Sequence, residues 1–210
     1  MLASGLASTV TGCAGETPDA GEPLVAGTGA PVIVPGAPGD HGRTAKPGER
    51  LGRPGPGPSA ADVRFTERMV PHHRQALEMA GLASSRAADP GVRRLAGRVS
   101  AAQRPEIDVM TRWLRALGRE AAAGHDGHGA SPGPDAYGMA SLTEMNTLRA
   151  SRGAAFDTLF LRLMIRHHEG AVKMAGEEMA GGTDQIMRKV AQDMASGQRV
   201  EILRMRALMR

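Results

Sequence analysis

The sequence predicts an all-α fold, a four-helix bundle made of two duplicated helical hairpins joined by a long crossover and preceded by a disordered tether. The first observation behind this is an internal repeat. The segment MVPHHRQALEMA, Met69 to Ala80, returns as MIRHHEGAVKMA, Met164 to Ala175, and the same spacing relates Asp62 to Asp157, Phe65 to Phe160, Gln103 to Gln198, Glu106 to Glu201 and Met110 to Met205. The second is composition. With three Phe, one Trp and one Tyr in 210 residues, the interior must be built from Leu, Val, Ile, Ala and Met, which suits close-packed helices better than a sheet. The third is periodicity, because apolar residues recur at three- and four-residue spacing through four long stretches.

Residues 1–13 read MLASGLASTVTGC, with Cys13 the only cysteine of the chain. Val10-Thr11-Gly12-Cys13 resembles the lipobox of bacterial lipoproteins, in which the cysteine is lipidated, although no basic segment precedes it. The expectation is an exported lipoprotein held by Cys13 on the outer face of the cytoplasmic membrane. No apolar stretch is long enough for a transmembrane helix. Residues 14–60 are dominated by Gly and Pro without apolar periodicity, and are expected to form a disordered linker.

The bundle is expected over 61–210, with repeat one at 61–118, a connector at 119–153 and repeat two at 154–210. Ser59-Ala-Ala-Asp62 reads as a capping-box-like start, and the spacing from Phe65 to Ala83 predicts a helix over 62–87 that Pro71 should kink. Asp89-Pro90 supplies an N-cap and a proline at the first helical position, opening a helix that Gly118 stops. Ser141-x-x-Glu144 opens a short helix to Ala150. A helix over 154–180 and another from Asp184 to Arg210 then repeat the first pair across the turn Gly181-Gly182-Thr183. Two such hairpins with a crossover suggest a ferritin-like bundle, whose hairpins could pack in either sense.

The short turn within each hairpin fixes which residues lie level, at ~1.5 Å of rise per residue. His72 and His73 then face Gln103 and Glu106 to within a turn, and Met69 lies level with Met110. Met164, His167, His168, Gln198, Glu201 and Met205 repeat the set. Thioether and imidazole together are ligands favoured by copper, Met selecting Cu(I) and imidazole serving Cu(II) as well. The plainer alternative is packing: Met as flexible filler, and Gln103, Glu106, Gln198 and Glu201 as hydrogen-bond partners of core histidines. Yet twelve of the thirteen methionines lie between Met69 and Met209, and the His-His pair occurs in both copies.

These residues also carry a resemblance. MVPHHRQALEMA, MIRHHEGAVKMA, AAFDTLFLRLMIRHH and the paired Q-x-x-E-I-x-x-M segments closely resemble the bacterial domain of unknown function 305 family over 61–117 and 138–210. The resemblance implies a ferritin-like, exported protein, some members of the family being periplasmic copper-binding proteins linked to copper resistance. It implies Met69, His72, His73, Met79, Met164, His167, His168 and Met174 as candidate copper ligands. Arg166 stands where the motif usually has proline.

Three functions compete at this point. One is copper sequestration, delivery or resistance, with a metal-accepting protein as a possible partner. Another is a helical module without metal. The third is a di-iron oxidoreductase, disfavoured because such bundles use Glu-x-x-His and no Glu stands three residues before any of the paired histidines. No P-loop or dinucleotide fingerprint is present, so no enzyme class is indicated. The net charge of +4 is spread without interleaved aromatics, which argues against nucleic acid as a partner.

Overall fold

A computed structural model describes residues 25–27, 29–34, 41–51, 57–121 and 137–209. Cys13 and the rest of residues 1–13 lie outside the described residues. The chain divides into two compact units, 1–55 and 56–210.

In the first unit the stretch expected to lack structure carries, in its described part, a small antiparallel pair. β1 (Ile33–Val34) pairs with β2 (Arg43–Thr44), with Ile33 opposite Thr44 and Val34 opposite Arg43. Local polar chemistry holds it where apolar burial does not. Arg43 donates to both carboxylate oxygens of Glu49, which also accepts from the Lys46 amide, closing a turn at Gly48 with φ of 79°.

The second unit is all-helical: α1 (Ala60–Arg86), α2 (Pro90–Ala116), α3 (Leu142–Ala150), α4 (Gly153–Gly181) and α5 (Gln185–Leu208). The caps are those the sequence specifies. Ser59 and Asp62 form a reciprocal capping box on α1, as Ser141 and Glu144 do on α3. Asp89 caps α2 and Asp184 caps α5. Helices α1 and α2 run unbroken through Pro71 and Pro105.

Two reciprocal ties set the packing sense of the hairpins. Asp62, at the start of α1, accepts from the amides of Thr183 and Asp184 in the α4–α5 turn, both at 3.1 Å. Its repeat partner Asp157, at the start of α4, accepts from the Asp89 amide in the α1–α2 turn at 2.8 Å. The turn of each hairpin therefore sits beside the open end of the other. The core follows the same two-fold logic and falls into two apolar clusters. One joins Ala76, Met79 and Leu95 of repeat one to Phe160, Met164 and Met205 of repeat two. The other joins Phe65, Met69 and Met110 to Ala171, Met174 and Met194. On each long helix the buried histidines or glutamines fall between the stretches that feed the two clusters.

The end of the connector, residues 137–140, straps the seam between α1 and α4. The Gln75 amide holds Ala140 by both its main-chain groups, at 2.8 and 2.7 Å. Arg166 donates to the Glu144 carboxylate at 2.8 and 2.6 Å and to the carbonyls of Gly138 and Met139 at 3.3 and 3.2 Å. Gly170, the counterpart of Gln75, lies so close under the strap that an added Cβ would stand 1.7 Å from the Tyr137 carbonyl oxygen.

The two ends of the bundle are not equivalent. Glu178 occupies the place of Ala83 and lies buried against Asp62, beneath Gly182. Burial first, and then hydrogen bonding to Asp62, pushes its carboxyl up to about 8. Burial alone would raise Asp62 too, but hydrogen bonds from Glu178, Ser59 and Thr183 hold it well below the usual carboxylate range. Folding thus favours a protonated Glu178 beside an ionised Asp62.

Two outcomes follow. A carboxyl whose pKa is raised by folding stabilises below its unfolded value, near 4.5, and loses that contribution as pH rises through about 8. Glu178→Gln keeps an N–H donor for Asp62 without titrating. Melting curves should show the variant gaining on the wild type by ~1–3 kcal/mol between pH 4.5 and 8.5; a constant difference would place the proton elsewhere. Gly170→Ala should lower stability by ~1–3 kcal/mol through overpacking, and amide exchange over 137–140 should accelerate while that of α2 does not.

Candidate metal centre

Helices α1 and α4 bring the two His-His pairs together at the middle of the bundle. The rings of His72 and His167 stack with centroids 3.6 Å apart and an interplanar angle of 29°, while His73 and His168 stand 6.4 and 6.3 Å from their neighbours, turned toward α2 and α5. All four are buried. The sequence suggests a separate set for each copy; in the structure the histidines of both copies occupy one central layer.

The partners of these rings fix their tautomers. His73 Nε2 lies 2.8 Å from Glu106 Oε2, and His168 Nε2 lies 2.8 Å from Glu201 Oε2. A carboxylate only accepts, so in each neutral ring Nε2 carries the proton and Nδ1 keeps a bare lone pair. His72 Nε2 lies 2.9 Å from the Tyr137 carbonyl, which also only accepts, leaving His72 Nδ1 bare. The Nδ1 atoms of His72, His73 and His168 are buried without a hydrogen-bond partner. Both nitrogens of His167 lack one as well; the nearby main chain of His72 only weakly favours its charged form. Gln103 and Gln198 add buried, unpartnered amide groups at matching positions.

Electrostatics keep the central pair neutral. Burial drives His72 down to about 3, and burial with the neighbouring imidazoles drives His167 well below its usual value. Neutral imidazole is the form that ligates a metal, and a carboxylate on the far ring nitrogen is the arrangement that orients such a ligand.

The methionines divide differently from the order of their motifs. Met69 and Met110 share a cluster, as the hairpin register predicts, and so do Met164 and Met205. Met79, however, joins Met164 and Met205, and Met174 joins Met69 and Met110. Each thioether set is thus drawn from both repeats, because the hairpins pack head to tail. Among the described residues no three His, Cys, Asp or Glu side chains are grouped to hold a metal ion. The donors present, bare imidazole nitrogens flanked by thioether clusters, fit a soft or borderline metal such as copper and do not form the carboxylate-rich set of a di-iron centre.

Sequence reading missed the strap. The Tyr137 carbonyl that fixes His72 has no side-chain signature, and Gln75, which anchors the strap, is visible only as a break in the repeat, with Gly170 at the matching place. Arg166, standing where the motif has proline, binds the strap as well as occupying the helix.

Several solved structures share this architecture. A fragment from Deinococcus radiodurans is 30% identical, with 74% of this chain and 97% of that one covered and a TM-score of 0.64. A protein from Streptomyces coelicolor is 30% identical, covering 70% and 91%, with a TM-score of 0.63. CopM in its Cu(II)-bound form is 32% identical, covering 70% and 94%, with a TM-score of 0.59. CopM is also known in Cu(I)-bound and silver-bound forms. None of the curated proteins compared with the chain matches it. The domain of unknown function DUF305 matches residues 62–209, together with the two His-His hairpins that make up the centre, and the chain belongs to that family.

Proposed function

We propose that this protein is an extracytoplasmic copper-binding protein that sequesters or delivers the metal, or protects against it, through its paired Met/His segments. The observation that carries the reading is the set of buried, unpartnered imidazole nitrogens between two thioether clusters. A bare lone pair buried away from water costs about 1–3 kcal/mol per group, and a bound metal would remove that cost. Met69, His72, His73, Met79, Met110, Met164, His167, His168, Met174 and Met205 would supply the donors. Glu106 and Glu201 would hold two of the imidazoles in the ligating tautomer. When bound, copper would supply a reversible soft-metal linkage and no chemistry on a substrate.

The copper- and silver-bound forms of CopM support the choice of metal. The Streptomyces coelicolor relative, described as a secreted protein, supports an extracytoplasmic location. Attachment through Cys13, and transfer of metal to an accepting protein, belong to the same proposal. No helix among the described residues is long and apolar enough to cross a membrane.

The packing alternative has its own support, since three of the four histidines already hold a hydrogen bond. The double variant His72→Ala/His73→Ala separates the two readings. Because His72 stacks on His167, copper stoichiometry measured by elemental analysis should fall by more than one repeat's share. Unchanged stoichiometry with a melting temperature lowered by ~1–3 kcal/mol equivalent would make the histidines structural. Met69→Leu, nearly volume-conserving, should weaken Cu(I) more than Cu(II) in competition titrations. For the anchor, Cys13→Ala in cells should move the protein from the membrane to the soluble envelope fraction; retention on the membrane would exclude lipidation there.

A further inference from the structure

The charge that looks evenly spread along the sequence is gathered by the fold onto one side of the bundle. α1 carries four basic residues against three acids and α4 three against four, whereas α2 carries six against two and α5 five against two. Three of the four acids on the basic helices are already engaged: Glu106 by His73, Glu201 by His168 and Asp193 by Lys189. α1 packs on α2 and α4, and α5 packs on α4 and α2. The two basic helices therefore form one side, and the two balanced helices, crossed by the strap, form the opposite one.

The outward stripe of the basic side can be read from its ion pairs. Arg206 pairs with Glu169 and so marks the side of α5 that meets α4; Arg204, two residues away, points the opposite way. Its place in repeat one is Val109, which shares a helical stripe of α2 with Arg98, Pro105 and Arg112, and Arg94 lies one turn before Arg98. Arg94, Arg98, Arg112 and Arg204 are exposed, and none holds an ion pair among the described residues. By contrast, Arg149 and Arg166 on the strapped side are each paired with a glutamate. Two large apolar side chains stand beside Arg204 on α5, Val200 at 45% and Leu203 at 65% exposure.

We propose that the α2/α5 side is a docking surface for an anionic phospholipid bilayer, on which the bundle lies flat. Charge complementarity carries the choice of partner. An unpaired guanidinium matches a phosphate with two parallel hydrogen bonds, and its hydrocarbon stem can lie along apolar surface while the head stays among the headgroups. Exposed valine and leucine among arginines suit the boundary between headgroups and acyl chains, whereas a purely aqueous partner gains nothing from them. α2, with 27 residues, offers an edge about 40 Å long to such a surface. Nucleic acid is the poorer match, because no aromatic side chain is exposed along these helices and Trp113 is engaged with Asp184. The proposal is independent of metal, since none of its arginines belongs to the central layer.

The test is co-sedimentation of the full chain, prepared without lipid on Cys13, with vesicles of equal parts phosphatidylglycerol and phosphatidylcholine and with vesicles of phosphatidylcholine alone. The chain should bind the first and not the second, and added salt should release it. Arg94→Gln/Arg98→Gln/Arg112→Gln/Arg204→Gln should weaken binding by at least about tenfold with an unchanged melting temperature. Arg64→Gln/Arg152→Gln/Arg162→Gln/Lys173→Gln removes as many exposed charges on and beside α1 and α4, and should bind like the wild type. Equal binding to both vesicles, or equal loss in the two variants, would overturn the proposal, the second by tracing binding to net charge and not to this side. Displacement of the vesicles by oligo-glutamate at matched charge would also overturn it, in favour of an acidic protein as the partner.

Discussion

The fold is built around two imidazoles that can occupy its centre only while uncharged. His72 and His167 stack at 3.6 Å with no water-facing side, so a proton on either would bring both a desolvation penalty and repulsion from its neighbour. The other members of the layer answer that condition. The Tyr137 carbonyl takes the N–H of His72, and Glu106 and Glu201 take those of His73 and His168. These partners lie on the strap, α2 and α5, and the Nδ1 atoms of the three rings are left buried without a partner. A buried polar layer also divides the apolar core, which is why two clusters of modest size replace one continuous interior. Methionine and alanine suit such short clusters, the first adapting to irregular space and the second letting the helices approach.

The duplication explains the symmetry, and its breaks explain the differences between the two ends. Asp62 and Asp157 tie each helix start to the other hairpin's turn, so the same residue in each copy sets the antiparallel association. Other pairs have diverged. Gln75 and Gly170 let one connector lie across the seam, the amide anchoring it and the glycine making room beneath it. Pro71 and Arg166 differ because only the second faces Glu144. Ala83 and Glu178 place a protonated acid at one end alone, and Val92 and Met187 change the chemistry of one cluster. A symmetric frame with these substitutions has one seam that is strapped and one end that holds a buried acid pair.

Much of this was legible in the sequence because it rests on local rules. Ser59, Asp89, Ser141 and Asp184 announce their helix starts by cap chemistry, and the three-residue turns force antiparallel hairpins. Register within a hairpin then placed Met69 with Met110 and His73 with Glu106. What stayed hidden depends on contacts between hairpins, for which the pattern of one helix carries no information. The placement of Met79 with repeat two, the stacking of His72 on His167 and the burial of Glu178 against Asp62 all belong to this class. So does the small sheet at Ile33 and Arg43, where a bidentate ion pair orders a Gly- and Pro-rich stretch that periodicity passes over.

The donor set bears on which metals this centre could discriminate. Hard ions need several oxygen ligands, and the carboxylates of the layer, Glu106 and Glu201, are occupied on the far side of their histidines. Zinc binds nitrogen and thiolate well, yet no cysteine lies among the described residues and the four imidazoles do not converge as a tetrahedral set. Copper can use what remains in either oxidation state, imidazole lone pairs at the centre for Cu(II) and thioethers on both sides for Cu(I). The layered order of the bundle, thioether, imidazole, thioether, therefore sets ligand types preferred by the two oxidation states of copper side by side within one helical frame.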